Sequence, residues 1–241
     1  MCESGEIMKV KLLSYTPNPD KLIAAAARVC YDKDGNIEQI LEGLTEEKIN
    51  AFLQRMMQVP QHGSVWEHPS FTFGIEGISR ATTHQLVRHR IASYDQRSQR
   101  YCNEIQFEYV MPDSIKAQPA TVVEFNRHMQ DVQSMYDKLI NKYNIPKEDA
   151  RAVLPNACVT SIIVTMNVRT LFHFFALRCC TRAQKEIREL ANKMLELCKE
   201  VAPLVFSKAG ASCKQLGYCP EGHMSCGAYP TLEQVLANYK K

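Results

Sequence analysis

The chain of 241 residues is 45% hydrophobic and 23% charged, which excludes a disordered, collagen-like or coiled-coil protein. No apolar run approaches the ~20 residues that span a bilayer, and the start of the chain, with Glu3 and Glu6, does not read as an export signal. The net charge is a mild +3, yet Arg80, Arg88, Arg90, Arg97 and Arg100 lie within one stretch holding a single acid, Asp95.

In chain order, Lys21–Tyr31 reads as a helix. Thr45 with Glu46 and Glu47 marks a helix start, and Ile49, Phe52, Met56 and Val59 recur at helical spacing until Pro60 stops it. Phe71–Ile75 alternates as a strand, Thr82–Arg90 reads as a short helix, and the polar Ser93–Asn103 as loop or extended chain. Thr121–Tyr143 is the longest helix, with Phe125, Met129, Val132, Tyr136, Leu139 and Tyr143 on its core-facing stripe. Pro146 and Pro155 bracket a short helix. Val159–Val168 reads as a buried strand, Leu171–Leu177 and Ala183–Val201 as helices, and the chain after Ser207 as irregular. This order lacks a βαβ rhythm and predicts an α+β fold: a mixed or antiparallel sheet flanked by helices, including the long amphipathic helix near 121–143. One domain is expected over 1–206, with a Cys-rich tail over 207–241 packed on it.

Ten cysteines in a chain without an export signal read as reduced thiols of the cytoplasm. Cys213, Cys219, His223 and Cys226 offer soft ligands, but their spacing is not a strong zinc pattern, and the expectation for metal is none. His62 and His68 lack an obvious third ligand.

Three constellations suit anions. On a helix Gln85, Arg88 and His89 share a face, and at a helix end Arg90 joins them around a ligand; a solvated basic helix end is the alternative. Ser98 and Arg100, with Tyr101 beside them, face one way in extended chain and suit a phosphate, against a serine that merely caps its own loop. Asn167 and Arg169 share a face as a strand ends, and His173 follows one helical turn later. Arg178 sits in an apolar stretch, where a guanidinium needs a partner, whether a ligand or a structural glutamate. No glycine-rich phosphate loop is present, so side chains must hold any nucleotide. A nucleic-acid-binding module is the competing class; the small net charge and the confinement of arginine to one segment weigh against it.

Arg88-His89-Arg90, seven residues, then Ser98-Gln99-Arg100-Tyr101 resembles the signature of the flavin-dependent thymidylate synthases. Ala26–Val29, the turn from His62 to His68 with Phe71-Thr72-Phe73, Gln85, Arg151-x-x-Leu154-Pro155, Asn167-x-Arg169-x-Leu171, Leu177-Arg178 and Gln184-x-Glu186-Ile187 resemble further family segments in order, over about residues 20–205. The resemblance implies reductive methylation of dUMP to dTMP. It implies FAD as cofactor, NADPH as reductant, 5,10-methylenetetrahydrofolate as carbon donor, and a cytoplasmic homotetramer with shared active sites, without nucleic acid or membrane as partner. By resemblance Ser64, Arg88, His89, Arg90, Gln96, Asn167, Arg169 and His173 belong to the flavin site. Gln85, Ser98, Arg100, Arg151, Tyr101 and His62 belong to the substrate side, and Arg178 is the catalytic arginine at the uracil edge. Two positions depart from the pattern: Gln96 stands where some relatives carry glutamate, and Cys30 where some carry serine.

Overall fold

The computed structural model describes residues 8–56 and 63–239. Its elements run β1 (Lys9–Tyr15), α1 (Pro19–Val29), α2 (Ile37–Gly43), α3 (Glu46–Met56), a short 3-10 helix (Ser64–Glu67), β2 (Ser70–Ser79), α4 (Arg80–Leu86) and β3 (Ser93–Gln96). Then come α5 (Asp113–Lys116), α6 (Pro119–Asn141), α7 (Lys147–Ala150), a 3-10 turn (Arg151–Val153), β4 (Val159–Asn167), α8 (Val168–Arg178) and α9 (Lys185–Val201). The chain ends with α10 (Ser212–Leu216), a 3-10 turn (Gly222–Met224) and α11 (Leu232–Tyr239).

Among the described residues the strands form one four-stranded sheet in the order β1-β2-β4-β3. Its pairs are antiparallel. The Thr16 N–H donates to the Ser70 carbonyl at 2.9 Å, joining the end of β1 to the start of β2. Val168 N–H to Pro69 (3.1 Å) and Arg80 N–H to Cys158 (3.0 Å) set β2 and β4 in opposite directions. The α+β expectation therefore holds. Along β4, Thr160, Ile162, Val164 and Met166 are buried in strict alternation, so this strand is one-sided and not the wholly buried strand its β-branched run suggested. In β2 the alternation of Phe71, Phe73 and Ile75 breaks at Gly77, whose φ of 74° is left-handed, and burial resumes at Ile78.

The chain forms two compact units, and β2 and β4 each run from one into the other. The first contains Gly74–Arg88 and Tyr94–Ile163 with the described residues through Lys9. Its core holds Ile75, Ile78, Leu86, Ile162, and Met129 and Tyr136 of α6, the expected long helix. The second contains Val10–Phe73, His89–Ser93 and Val164–Lys241. There α3 buries Ile49, Leu53 and Met56, with Leu53 taking the place expected of Phe52; Val59 and Pro60 lie outside the described residues. α8 buries Leu171, Phe174 and Phe175, and α9 buries Ile187, Leu190, Ala191, Met194, Leu195 and Cys198. Phe206 stands edge-on to Phe71 at 5.4 Å and stacks on Phe172 at 5.7 Å.

The tail is more ordered than its glycines suggested. The Ser212 hydroxyl donates to the Ala176 carbonyl at 3.1 Å, and Gln215 Nε2 donates to the carbonyls of Phe172 (3.0 Å) and Gly210 (2.8 Å). Arg182 pairs with Glu221 at 3.3 Å. The tail thus supplies a donor to the Ala176 carbonyl, in the last turn of α8 where a helix lacks its own donors, and a further one to Phe172 a turn earlier. Phe206 joins three aromatic neighbours, so Phe206→Ala is expected to cost ~3–5 kcal/mol, read as a lowered urea midpoint at unchanged slope. A loss below ~1 kcal/mol would show that the cluster does not stabilise the unit.

Candidate active site

In the first unit the chain leaves β3 in a turn, closed by Cys102 N–H on the Ser98 carbonyl at 3.1 Å. Ser98 and Arg100 therefore do not share an extended face; Ser98 Oγ accepts the Arg100 N–H at 3.2 Å and shapes the turn. Glu148 of α7 organises what surrounds it. Its carboxylate takes the Arg100 guanidinium at 2.8 Å, and its carbonyl accepts from Arg151 Nε at 3.0 Å. Lys147 Nζ reaches the Tyr101 carbonyl at 3.4 Å. The bond to Glu148 is the main cause holding the Arg100 pKa above its usual value.

Arg80 completes this group. Its Nη1 is buried and without a hydrogen-bond partner. Burial, then the nearby charge of Arg151, lower its pKa. A guanidinium disfavoured by burial and by a like charge is relieved by an anion. Sequence reasoning counted Arg80 among the clustered arginines without giving it a role; only burial distinguishes it. Glu148 carried no signal at all.

Gln85, half-buried, lies on α4, but that helix ends at Leu86. Arg88 and His89 are therefore not the next residues of a shared helical face. Beyond that end the Tyr94 hydroxyl donates to the Leu86 carbonyl at 2.9 Å, satisfying an acceptor the helix end leaves open. Burial pushes the Tyr94 pKa up to about 12, so it stays a donor. Arg88 is exposed just beyond. Gln96 Nε2 donates to Thr83 and Thr160 hydroxyls at 3.2 and 3.3 Å, whereas an ionised carboxylate there could only accept from them.

In the second unit α8 gathers the remaining residues. Asn167 is its N-cap and accepts from Thr170 N–H at 2.9 Å. Arg169 and His173 stand one turn apart and exposed. Arg169 pairs with Glu67 of the 3-10 helix that Ser64 begins, and Trp66 of that helix lies 6.0 Å from Phe172. A Cβ on Gly63 would stand 3.2 Å from Arg169 Cζ, so glycine there permits the guanidinium's approach. His62 lies outside the described residues.

The loop carrying His89 and Arg90 is bonded to both ends of α8. At the N-terminal end Thr170 Oγ1 donates to the Ile91 carbonyl at 3.0 Å. At the C-terminal end Arg178 Nε donates to His89 Nε2 at 3.2 Å. His89 is only 5% exposed, with its ring edge-on to Phe174 at 5.0 Å and to His173 at 5.5 Å. Burial, then Arg178 and His173, push its pKa down to about 4. Burial also lowers the pKa of Arg178. The partner that sequence reasoning sought for Arg178 thus includes a neutral histidine. Among the described residues no cluster of His, Cys, Asp or Glu is arranged to hold a metal ion.

Turns and helix ends of this fold present arginines, donor groups whose geometry suits anionic ligands. Residues 11–204 match the family described as thymidylate synthase complementing protein. The chain is 50% identical to the flavin-dependent thymidylate synthase of Clostridium tetani, over 95% of this chain and 96% of that protein. It is 53% identical to that of Geobacter sulfurreducens, over 91% and 94%. A likeness of fold alone, at 23% identity and a TM-score of 0.70, links 83% of this chain to 93% of the UMP/dUMP methylase PolB of Streptomyces cacaoi, solved with 5-Br dUMP. The chain belongs to the flavin-dependent thymidylate synthase family, and is accordingly a flavin-using methyltransferase.

The buried imidazole has a measurable acid-side consequence. An unfolded histidine takes a proton near pH 6.5, whereas His89 resists it down to about 4. Its contribution to stability is full above 6.5 and is lost as pH falls from there toward about 4. Chemical denaturation at pH 7 and pH 5 should show an acid-side loss smaller in His89→Gln than in wild type, by about 2 kcal/mol. Equal losses would refute the depressed pKa.

Proposed function

We propose that this chain makes thymidylate by reductive methylation of dUMP, with 5,10-methylenetetrahydrofolate as carbon donor, FAD as the flavin and NADPH as reductant. The observation that carries the reading is Arg80, whose buried Nη1 lacks a partner beside Arg151. A 5′-phosphate is an anion of the right charge for it, with Arg100 and Arg151 as further cations, the Ser98 hydroxyl as donor, and Gln85 and Tyr101 on the nucleotide side. His62 belongs to the same reading.

The donor set of the second unit fits a flavin: Ser64, His89, Arg90, Asn167, Arg169 and His173 combine cations for a pyrophosphate with neutral donors and acceptors for a ring. Gly63 leaves room for Arg169 in that set. Arg88 and Gln96 are assigned to the flavin as well. When bound, FAD supplies hydride chemistry, with electrons drawn from NADPH. The residue that acts on the pyrimidine is Arg178. Held in a partly desolvated setting, its fixed positive charge favours an ionised N3 and so makes C5 a better nucleophile, without donating a proton of its own. The same reading makes the enzyme a cytoplasmic homotetramer with shared active sites. Among the described residues no helix is long and apolar enough to cross a membrane.

The test is reconstitution with FAD followed by assay of thymidylate from dUMP; a chain that never takes up flavin ends the assignment. On flavin-loaded preparations Arg178→Lys should lower the single-turnover rate, because a point charge cannot reproduce the planar contact with a ring edge. Arg178→Ala should lower it about a hundredfold, equivalent to ~3 kcal/mol. Unchanged turnover per loaded molecule with a lowered melting point would make Arg178 structural.

Arg80→Gln should weaken dUMP binding by roughly tenfold or more while leaving deoxyuridine, which lacks the phosphate, within about twofold. Equal losses for nucleotide and nucleoside would remove Arg80 from the phosphate site.

A further inference from the structure

We infer that His89 is a positioning residue for Arg178: its imidazole, protonated on Nδ1, accepts from Arg178 Nε and fixes the plane in which the guanidinium meets the pyrimidine. The inference rests on the reading of Arg178 given above, but its geometry stands alone. Arg178 Nε lies 3.2 Å from His89 Nε2. An arginine Nε–H is always a donor, so Nε2 is the acceptor and the neutral ring carries its proton on Nδ1. Bonding at Nε matters because that atom lies in the guanidinium plane at the root of the fork. A partner there restrains the torsion that sets the orientation of the whole rigid plane and leaves both terminal nitrogens available to a ligand.

The imidazole is itself fixed. It is 5% exposed, and Phe174 and His173 pack against it edge-on at 5.0 and 5.5 Å from the same helix that carries Arg178. The other hydrogen bond to the loop, from Thr170 to Ile91, holds the backbone two residues further on. The ring therefore turns only if α8 moves. A charged partner such as glutamate would fix the same plane but would cancel the positive charge assigned to the pyrimidine; a neutral histidine orients the cation and leaves its charge intact. His89 consequently acts on both sides of the reaction, as a flavin-side residue and as the hinge pin of the nucleotide-side arginine.

The test combines a double-mutant cycle with a spectroscopic reading. His89→Phe should lower the single-turnover rate of flavin-loaded enzyme by about tenfold or more, since a misplaced group costs heavily in rate. His89→Gln, whose amide oxygen accepts in place of Nε2, should recover most of it. In an Arg178→Ala background His89→Phe should cost no more than about twofold further, because the interaction is already gone. Losses that multiply in the double variant would overturn the proposal. Independently of activity, the ring ¹⁵N shifts of His89 in the purified full chain at pH 7 should show the Nδ1–H tautomer, with the Nε2 signal displaced by Arg178→Ala. A proton on Nε2, or a signal indifferent to Arg178→Ala, would also overturn it. Absence of thymidylate synthesis in a wild-type chain with the expected tautomer would instead sink the functional reading and leave the coupling standing.

Discussion

One helix, α8, is tied at both ends to one short loop. Thr170 holds Ile91 at its start and Arg178 holds His89 at its finish. Since a helix of eleven residues is nearly rigid, two bonds to the same loop leave little freedom to either partner. The arrangement explains why the sequence places Arg88-His89-Arg90 outside α4. Inside a helix, a histidine's backbone would be committed to the helical ladder and its side chain would follow the helix surface. In a loop pinned by side chains, the ring turns inward and Arg90 remains exposed.

The first unit solves a different problem, that of keeping several arginines near one another. Glu148 bonds Arg100 through its side chain and Arg151 through its backbone, so one residue offsets part of the repulsion and fixes two directions at once. Both side chains of the Arg100–Glu148 pair are about half exposed, so its contribution to stability is small; its effect is on placement. Arg97 is matched to the buried Glu104, whose N–H is in turn accepted by the Tyr136 hydroxyl at 3.3 Å. Arg80 is the member whose buried Nη1 is not balanced in this way.

What could be read from the sequence follows the range of the forces involved. The capping of α3 by Thr45 is local, set by a neighbour three residues away, and it is present; of the stripe expected on α6 only Met129 and Tyr136 are buried, while Tyr143 lies past the helix end and is exposed. The end of α4 was not legible: no local breaker marks it, and the donor that satisfies its last carbonyl is the hydroxyl of Tyr94, eight residues on. Ser98 was misread for the opposite reason: its own Oγ captures the backbone two residues later and replaces extended chain by a turn. Arg178 could be recognised as needing a partner, yet its match with His89, eighty-nine residues earlier, is a tertiary fact. Candidate residues were legible as residue types in order; their burial, and with it the special character of Arg80, was not.

The second unit is assembled from three separated stretches, ending in Val164–Lys241, whereas most of the first is the continuous stretch Tyr94–Ile163. During synthesis the longest part of the first unit thus leaves the ribosome before the residues that complete the second. Phe71 must wait for Phe206, and the carbonyls of Phe172 and Ala176 for Gln215 and Ser212. Contacts this distant in sequence close slowly, and the apolar faces of the early stretches stay open meanwhile. The nascent chain is therefore most vulnerable to aggregation late in its translation, and a chaperone acting on it finds its longest-lived target in the unit that finishes last.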